Sequence, residues 1–162
     1  MPQVTAEETF ELAKLGRIWR VSHRWAMGAA ATFHFGFVVG ERDMIALSRE
    51  YFTLSTALKV ELFQASWSGG SVAKTINRRL EFKDQAPPIQ WYQGVTPGAL
   101  GESITGFDIE SSGPNRVGKD GDKEPFIHTA MTSYVLRVTN TGASEQTFSF
   151  AADYRIKNPW EY

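Results

Sequence analysis

The chain has 162 residues, with 17 Lys and Arg against 18 Asp and Glu, and its near-zero net charge argues against a protein that coats nucleic acid or an anionic membrane. Apolar residues make up 42% and aromatic residues 13%, a composition typical of one globular domain rather than of a disordered chain. Because the sequence contains no cysteine, disulfides, thiolate metal sites and cysteine nucleophiles are excluded.

The N-terminal region predicts a short helix. Acidic residues stand where a secretory signal would carry basic ones, so we expect synthesis in the cytoplasm without a signal peptide. Residues 5–14 are the best helix candidate, because Thr5 and Glu8 form a capping-box pattern and Phe10 belongs to an apolar face. A helix of this length is marginal alone. We therefore expect 1–15 to be an arm that becomes ordered on a partner, with a frayed terminus or a local cap on the core as the alternative.

Alternation of apolar and polar residues begins after this segment. The ranges 19–25 and 33–39 are rich in aromatic residues and are separated by small ones, which predicts a hairpin-like pair of strands. The same period of two continues in shorter strands at 44–47, 58–62 and 89–93. The longest weakly polar stretch, 25–40, is too short and too polar to cross a bilayer, so we expect no membrane partner.

The last third of the chain has the clearest strand pattern. Residues 134–139 and 147–154 alternate on either side of a turn at 140–143, which predicts a hairpin with one buried and one polar face. Counting seven or eight short strands, we predict an all-β fold, an antiparallel β-sandwich of the jelly-roll kind. The sandwich domain would occupy 16–155, followed by an aromatic C-terminal tail at 156–162.

Three segments between the predicted strands read as turns or loops. Residues 66–71 predict a turn, and the glycine-rich range 94–106 predicts a loop. The most polar segment, 111–125, is long for a loop in a compact domain, and loops of that length are usually functional or disordered.

No pattern in the sequence indicates a metal site or a cofactor. The histidines are His23, His34 and His128, and none forms the His-x-His pair that a metal-binding jelly roll would use. The acidic run 120–124 lacks the spacing of a calcium loop and is diluted by lysine. We therefore expect no cofactor and no bound metal.

Catalytic patterns are equally weak. Glu102, Asp108 and Glu110 are carboxylates of the kind that glycoside hydrolysis uses, but any β-protein of this size offers such a set. The turn at 66–71 does not match a nucleophile elbow, and its serines have no recognisable partner set. We therefore expect a protein without enzymatic activity.

Aromatic and basic residues supply candidate interface positions instead. Five tryptophans and eleven phenylalanines exceed what one small core is expected to bury, and several lie in or beside turns. Such residues anchor protein interfaces, or form stacking platforms for sugars. The segment 77–79 is either a polar strand end with its guanidinium groups solvated or paired to nearby acids, or an interface clamp. The candidate interface residues are Phe10, Trp67, Asn77, Arg78, Arg79, Trp91, Tyr92, Trp160 and Tyr162.

Two stretches resemble a known family. Residues 132–140 carry the pattern T-x-Y-x-x-R-x-x-N and are followed at 148–154 by an aromatic strand ending in tyrosine, which resembles the C-terminal hairpin of small tailed-bacteriophage virion proteins. The segment 76–79 is similar to the Asn-Arg-rich segment of that family. The resemblance covers 17–155 in strand order. The loop at 113–124 and the aromatic tail depart from the pattern and leave the docking position open.

This resemblance implies a bacteriophage virion structural protein, a capsid decoration or cement subunit that stabilises the shell. Its partners would be the major capsid protein and further copies of itself, with a trimer favoured, and its location would be the capsid surface. No direct nucleic acid contact is expected. The alternative from a different class is a glycan- or receptor-binding β-sandwich, such as a fibre tip, that uses exposed Trp and Tyr side chains.

Overall fold

A computed structural model of the chain describes residues 6–53, 58–82, 84–109, 116–120 and 126–160. Helix α1 spans Ala6–Lys14, and a 3₁₀ helix spans Leu80–Phe82. The described strands are β1 Ile18–Met27, β2 Thr32–Val39, β3 Met44–Thr53, β4 Leu58–Gln64, β5 Trp67–Ser68, β6 Ser71–Ala73, β7 Thr75–Asn77, β8 Ile89–Gln93, β9 Thr96–Pro97, β10 Thr105–Ile109, β11 Arg116–Asp120, β12 Phe126–His128, β13 Ser133–Asn140 and β14 Gln146–Ile156.

Two antiparallel sheets form the sandwich. Sheet A has the order β11-β3-β14-β1-β7, and β12 pairs further along β3. Sheet B has the order β10-β4-β13-β2-β8-β6, and β5 with β9 forms a small separate ribbon. The runs β11-β3-β14-β1 in sheet A and β10-β4-β13-β2 in sheet B follow the strand order of an eight-stranded jelly roll. The predicted all-β antiparallel sandwich of the jelly-roll kind is therefore confirmed, as is the short N-terminal helix.

The predicted count of seven or eight strands matches the eight strands of the jelly roll, but the structure also contains additional short strands. The additional strands β5 to β9 lie between β4 and β10, and β6, β7 and β8 extend the two sheets. Of these, β8 is the strand predicted at 89–93, and the other four have two or three residues each, too few for an alternating pattern to be recognised. Part of the predicted loop 111–125 also pairs, because β11 lies against β3; the remainder falls outside the described residues.

Both predicted hairpins are wrong. Strand β1 lies in sheet A and β2 in sheet B, while β13 lies in sheet B and β14 in sheet A. Each pair is an arch that crosses between the sheets. The reason is physical: alternation shows which face of a strand is buried, and it does not show whether the next strand is a hydrogen-bonded neighbour or lies across the core.

One buried side chain fastens the two arches together. The Asn140 amide nitrogen donates hydrogen bonds to the carbonyl oxygens of Met27, Gly28 and Ser144 at 3.2, 3.0 and 2.9 Å. Its amide oxygen accepts the Gly142 N–H at 2.9 Å. Since Asn140 is fully buried, these bonds satisfy it without water and hold the β1–β2 and β13–β14 connections in one place.

Large aromatic rings fill the space between the sheets. Trp91, Phe37 and Tyr134 are cross-strand neighbours on β8, β2 and β13, with ring centroids 4.3 and 5.0 Å apart and nearly parallel planes. We call these three residues the central aromatic stack. From sheet A, Phe150 and Tyr154 contact Trp91 at 5.2 and 6.1 Å between centroids. The expectation that the aromatic residues exceed the capacity of the core is therefore wrong for most of the described rings, which lie buried or half-buried inside the molecule.

The junction between α1 and β1 is a Schellman turn at Gly16. The Gly16 N–H donates to Ala13 O at 3.0 Å and the Arg17 N–H donates to Leu12 O at 2.9 Å, with Gly16 at a φ of +67°. A Cβ at Gly16 would stand 2.5 Å from the Phe82 ring. Only glycine meets both demands, so the entry angle of α1 into the sheet depends on this residue.

We expect Gly16→Ala to lower the free energy of unfolding by about 1–2 kcal/mol from the left-handed backbone alone, with a further cost from displacing Phe82. Gly69→Ala is the matched control, because Gly69 has a φ of +68° and open space around it. Denaturant unfolding measures both. If Gly16→Ala proves no more destabilising than Gly28→Ala, where neither constraint exists, the assigned role of the junction is contradicted.

Candidate functional surface at the α1 end

Several segments converge at the end of the sandwich where β1 begins and β14 ends. The Arg78 N–H donates to Ile18 O at 2.8 Å, which brings the 3₁₀ helix beside the start of β1. The Lys157 N–H donates to Asp43 O at 2.8 Å, and the Met131 N–H donates to Gly40 O at the same distance. We call this surface, formed by α1 with the following Leu15, by Leu80–Phe82 and by residues 40–43, 129–132 and 157–160, the α1 end.

Exposed apolar side chains concentrate on the α1 end. Trp160 is 73% exposed and Phe10 is 60% exposed. Five of the eight large apolar side chains that are exposed in the described part of the chain belong to this surface: Phe10, Leu15, Leu80, Met131 and Trp160. An end of the molecule that gathers several exposed apolar side chains is a candidate interaction site.

Four of the predicted interface residues meet around α1. Phe10, Arg78 and Arg79 line one groove beside the helix. Trp160 lies in a second cleft, which Leu12 of the same helix also lines. These residues are far apart along the chain, and the fold brings them to one surface. Tyr162, the last of the tail residues predicted for an interface, lies outside the described residues.

The structure corrects the prediction that Asn77 is an interface residue, because its buried side chain holds the fold together. It is fully buried, donates from its amide nitrogen to Gly16 O at 2.7 Å, and accepts the Arg79 N–H at 2.9 Å. Arg79 in turn donates to Lys14 O at 3.0 Å and pairs with Glu81 at 2.7 Å. The guanidinium groups of Arg78 and Arg79 thus pair with acids of the same chain, as expected for a polar strand end, and the role of these two arginines in an interface stays a prediction.

Arg78 and Arg20 share one buried carboxylate on the outer face of sheet A. Arg20 binds Asp153 through two parallel hydrogen bonds of 2.8 and 2.7 Å, and the Arg78 guanidinium lies 3.4 Å from the same carboxylate. The hydrogen bond to Asp153 and then its charge raise the pKa of Arg20. Bidentate pairing of this kind fixes geometry as well as charge. It holds β7, β1 and β14 in register directly below the α1 end.

The prediction that Trp91 anchors an interface is also wrong. Trp91 lies in the middle of the core, and no part of its side chain is exposed. Trp67 and Tyr92 lie elsewhere, half-buried on the outer face of sheet B with ring centroids 4.7 Å apart. Trp67 lies directly on β2 at Gly36, where a Cβ would come within 2.4 Å of its ring. These two residues form a separate aromatic pair that does not belong to the α1 end.

We expect Trp91→Ala to cost about 3–5 kcal/mol of stability, the range for removing a large buried aromatic side chain. Trp160→Ala should leave the free energy of unfolding within about 0.5 kcal/mol of the original, because the side chain is exposed. Parallel denaturant titrations of the two variants test the contrast. Equal losses would contradict the separation of core from surface.

Two of the described histidines, His23 and His128, contact aromatic rings. His23 packs against Trp25 and Phe35 at 5.5 and 5.8 Å between centroids, and burial lowers its pKa. His34 lies on sheet B, where burial and then the charge of Arg137 lower its pKa. In the part of the chain that the structure describes, no three His, Asp or Glu residues are placed to hold a metal ion.

These lowered histidine pKa values predict a pH dependence of stability. Between the folded pKa and the usual value of 6.5, the unfolded chain binds more protons than the folded one. The free energy of unfolding should therefore fall as pH drops through 6.5, and level off below the folded values. Thermal unfolding of the double variant His23→Gln/His34→Gln should show a flatter profile in this window. A variant profile as steep as the original would contradict the assignment.

A basic cleft at the α1 end was not predicted from the sequence. It has a volume of about 320 Å³ and is lined by Leu12, Arg17, Trp19, Arg42, Arg155, Ile156, Asn158 and Trp160. Its three arginines come from distant positions in the chain. Only the pairing of β1, β14 and β3 brings them together, so no local pattern reveals the cleft.

No described helix is long and apolar enough to cross a membrane. No protein-family model and no curated protein matches the chain. Among solved structures, the chain is similar to PirA, with a TM-score of 0.43 and 8% identity over 85% of this chain and 94% of that one. It is also similar to PliG, a periplasmic inhibitor of g-type lysozyme from Aeromonas hydrophila, with a TM-score of 0.40 and 12% identity over 85% and 86%.

A third similar structure is that of empty cowpea mosaic virus particles, with a TM-score of 0.38 and 8% identity over 87% of this chain and 84% of that one. This is a weak, capsid-like resemblance of fold. At such identities and TM-scores, none of the three similarities carries an argument about function.

Proposed function

We propose that this chain is a non-enzymatic structural protein of a bacteriophage particle, a capsid decoration subunit that attaches to the shell through the α1 end. The observation that carries the proposal is the concentration of exposed apolar side chains, Phe10 and Trp160 among them, on one end of a jelly roll. The family resemblance of the strands at 132–154 supplies the class of particle.

The filled core supports this proposal. Since the central aromatic stack and its neighbours are buried, the aromatic residues at the α1 end are not the overflow of a crowded interior. An exposed tryptophan that becomes buried at an interface contributes about 1.5–3 kcal/mol before ordering costs are subtracted. Repeated around a symmetric shell, such contacts make attachment cooperative.

The oligomeric state and the ends of the chain are part of the same proposal. We propose that the protein contacts the major capsid protein and its own copies as a trimer, with 1–15 and 156–162 completing their order on a neighbour. Within the described residues, α1 is fastened to the sandwich at its C-terminal end by the Gly16 turn and by Arg79. The exposed Phe10 side chain lies further towards its N-terminal end, where a neighbouring subunit can cover it.

A glycan- or receptor-binding module is the second candidate. The observation that favours it is the Trp67–Tyr92 pair, two partly exposed aromatic rings on the outer face of sheet B. Aromatic faces of this kind stack on sugar rings. The two candidates use different surfaces, so variants at the α1 end and at Trp67 separate them.

The attachment experiment uses particles assembled without this protein, to which purified chain is added before sedimentation. The original chain should co-sediment with the particles, and Trp160→Ala should attach about 10- to 100-fold more weakly, the equivalent of one buried aromatic side chain. Val72→Ala is the control, because Val72 is also exposed, at 57%, but lies on β6 away from the α1 end.

Light scattering of the free chain and a glycan-binding screen complete the test. Light scattering that shows a monomer in solution, together with a monomeric footprint on the particle, would contradict the proposed trimer. Failure to co-sediment, together with sugar binding that Trp67→Ala abolishes, would overturn the proposed function in favour of the glycan module. Stoichiometric zinc, iron or manganese in the purified protein would overturn its non-enzymatic character.

A further inference from the structure

The basic cleft at the α1 end has the composition of a carboxylate-binding site. Its described lining contains the guanidinium groups of Arg17, Arg42 and Arg155 and the amide of Asn158, and no acidic side chain. Two tryptophans complete it, Trp19 at the base of β1 and the exposed Trp160. Arginine guanidinium groups match the planar geometry of carboxylates and bind them through paired hydrogen bonds.

The sheet register explains why the arginines meet. Ile18 of β1 lies opposite Arg155 of β14, so Arg17 is placed beside the end of β14. Met44 of β3 lies opposite Ile156, and the hydrogen bond from Lys157 to Asp43 continues this pairing outward to Arg42. The three positions therefore occupy the same end of three adjacent strands, and the cleft is built on the rigid part of sheet A.

Two of the cleft arginines have no ion-pair partner among the described residues. Arg17 and Arg42 are exposed and form no ion pair with any residue that the structure describes. Asp43, next to Arg42 in sequence, accepts the Ala130 N–H at 2.8 Å, and it lines a neighbouring hollow together with Glu41 and Arg42. Arg17 and Arg42 therefore bring positive charge to the cleft.

The cleft is lined by buried as well as exposed side chains. Arg155 is only 7% exposed, and its guanidinium donates to Ile156 O at 3.2 Å. Trp19 is 9% exposed. The exposed Arg17 and Arg42 therefore lie beside side chains that the fold holds in place.

We infer that this cleft binds an acidic segment of the shell protein, with a carboxylate held by Arg17 and Arg42 and an apolar neighbour packed on Trp160. The inference rests on the proposed function and names the chemistry of its partner. Charge complementarity selects the occupant, since the cleft offers donors and positive charge, and Leu12, Ile156 and Trp160 give it an apolar wall. A volume of about 320 Å³ accommodates a few side chains rather than a large cofactor.

The test uses a fluorescein-labelled pentaglutamate peptide, with its pentaglutamine counterpart as the uncharged probe, and follows fluorescence anisotropy with the purified full chain. The acidic peptide should bind and the uncharged one should not, and rising salt should weaken binding. Arg17→Ala and Arg42→Ala should each weaken binding about tenfold, the loss expected for a hydrogen bond to a charged group.

Arg24→Ala is the matched control, because Arg24 is also an exposed arginine but lies on β1 outside the cleft. Both cleft arginines are exposed, so their variants should fold normally, and an unchanged melting temperature verifies this. Equal binding by all variants, or no binding of the acidic peptide, overturns the inference. If inorganic phosphate binds to the protein and the acidic peptide does not, the cleft is a site for a free anion, and this result overturns the inference as well.

Deletion of 161–162 tests another occupant, the carboxylates of the chain's own last residues. Acidic peptide that binds only after this deletion would show that the chain covers its own cleft, and would overturn the inference. Attachment to particles separates this result from the proposed function. If Arg42→Ala attaches as well as the original chain, the cleft assignment is wrong and the proposed function stands; if the original chain does not attach, both are wrong.

Discussion

The central aromatic stack is the constraint on which the rest of the molecule depends. Trp91, Phe37 and Tyr134 are direct cross-strand neighbours, so their ring contacts and the backbone pairing of β8, β2 and β13 require the same register. A slip of one residue in any of these strands would move its ring to the outer face. Because Trp91 also contacts Phe150 and Tyr154 of sheet A, the stack fixes the distance between the sheets as well as the register within one of them.

The α1 end follows from this rigid interior. With the strand ends fixed, Asn77 joins the start of β1 to the end of β7, and Asp153 holds Arg20 and Arg78 on the outer face of sheet A. The short segments around α1 then have a firm base, and apolar side chains such as Phe10 and Trp160 remain exposed on it. An interface on such a base is preorganised, which lowers the entropy lost when it binds.

Sequence patterns predicted the individual strands and the helix better than they predicted which strands pair with each other. The strands at 89–93 and 134–139 and the helix at 5–14 were recognisable because each has its own period. The two arches were not, since an arch and a hairpin share one alternating pattern. Trp91 was misassigned because proximity to a turn says nothing about the direction of its ring. The basic cleft was missed because Arg17, Arg42 and Arg155 meet only through the register of three strands.

The central claim is that the α1 end is a docking surface and that the sandwich faces are not. A cryo-electron density map of the native particle tests it most directly. We expect jelly-roll density on the shell, with α1 and residues 157–160 in contact with a neighbouring subunit and with the Trp67–Tyr92 pair facing solvent. A map in which the α1 end faces solvent while sheet B contacts the shell, or in which no jelly roll of this size is attached, would contradict it.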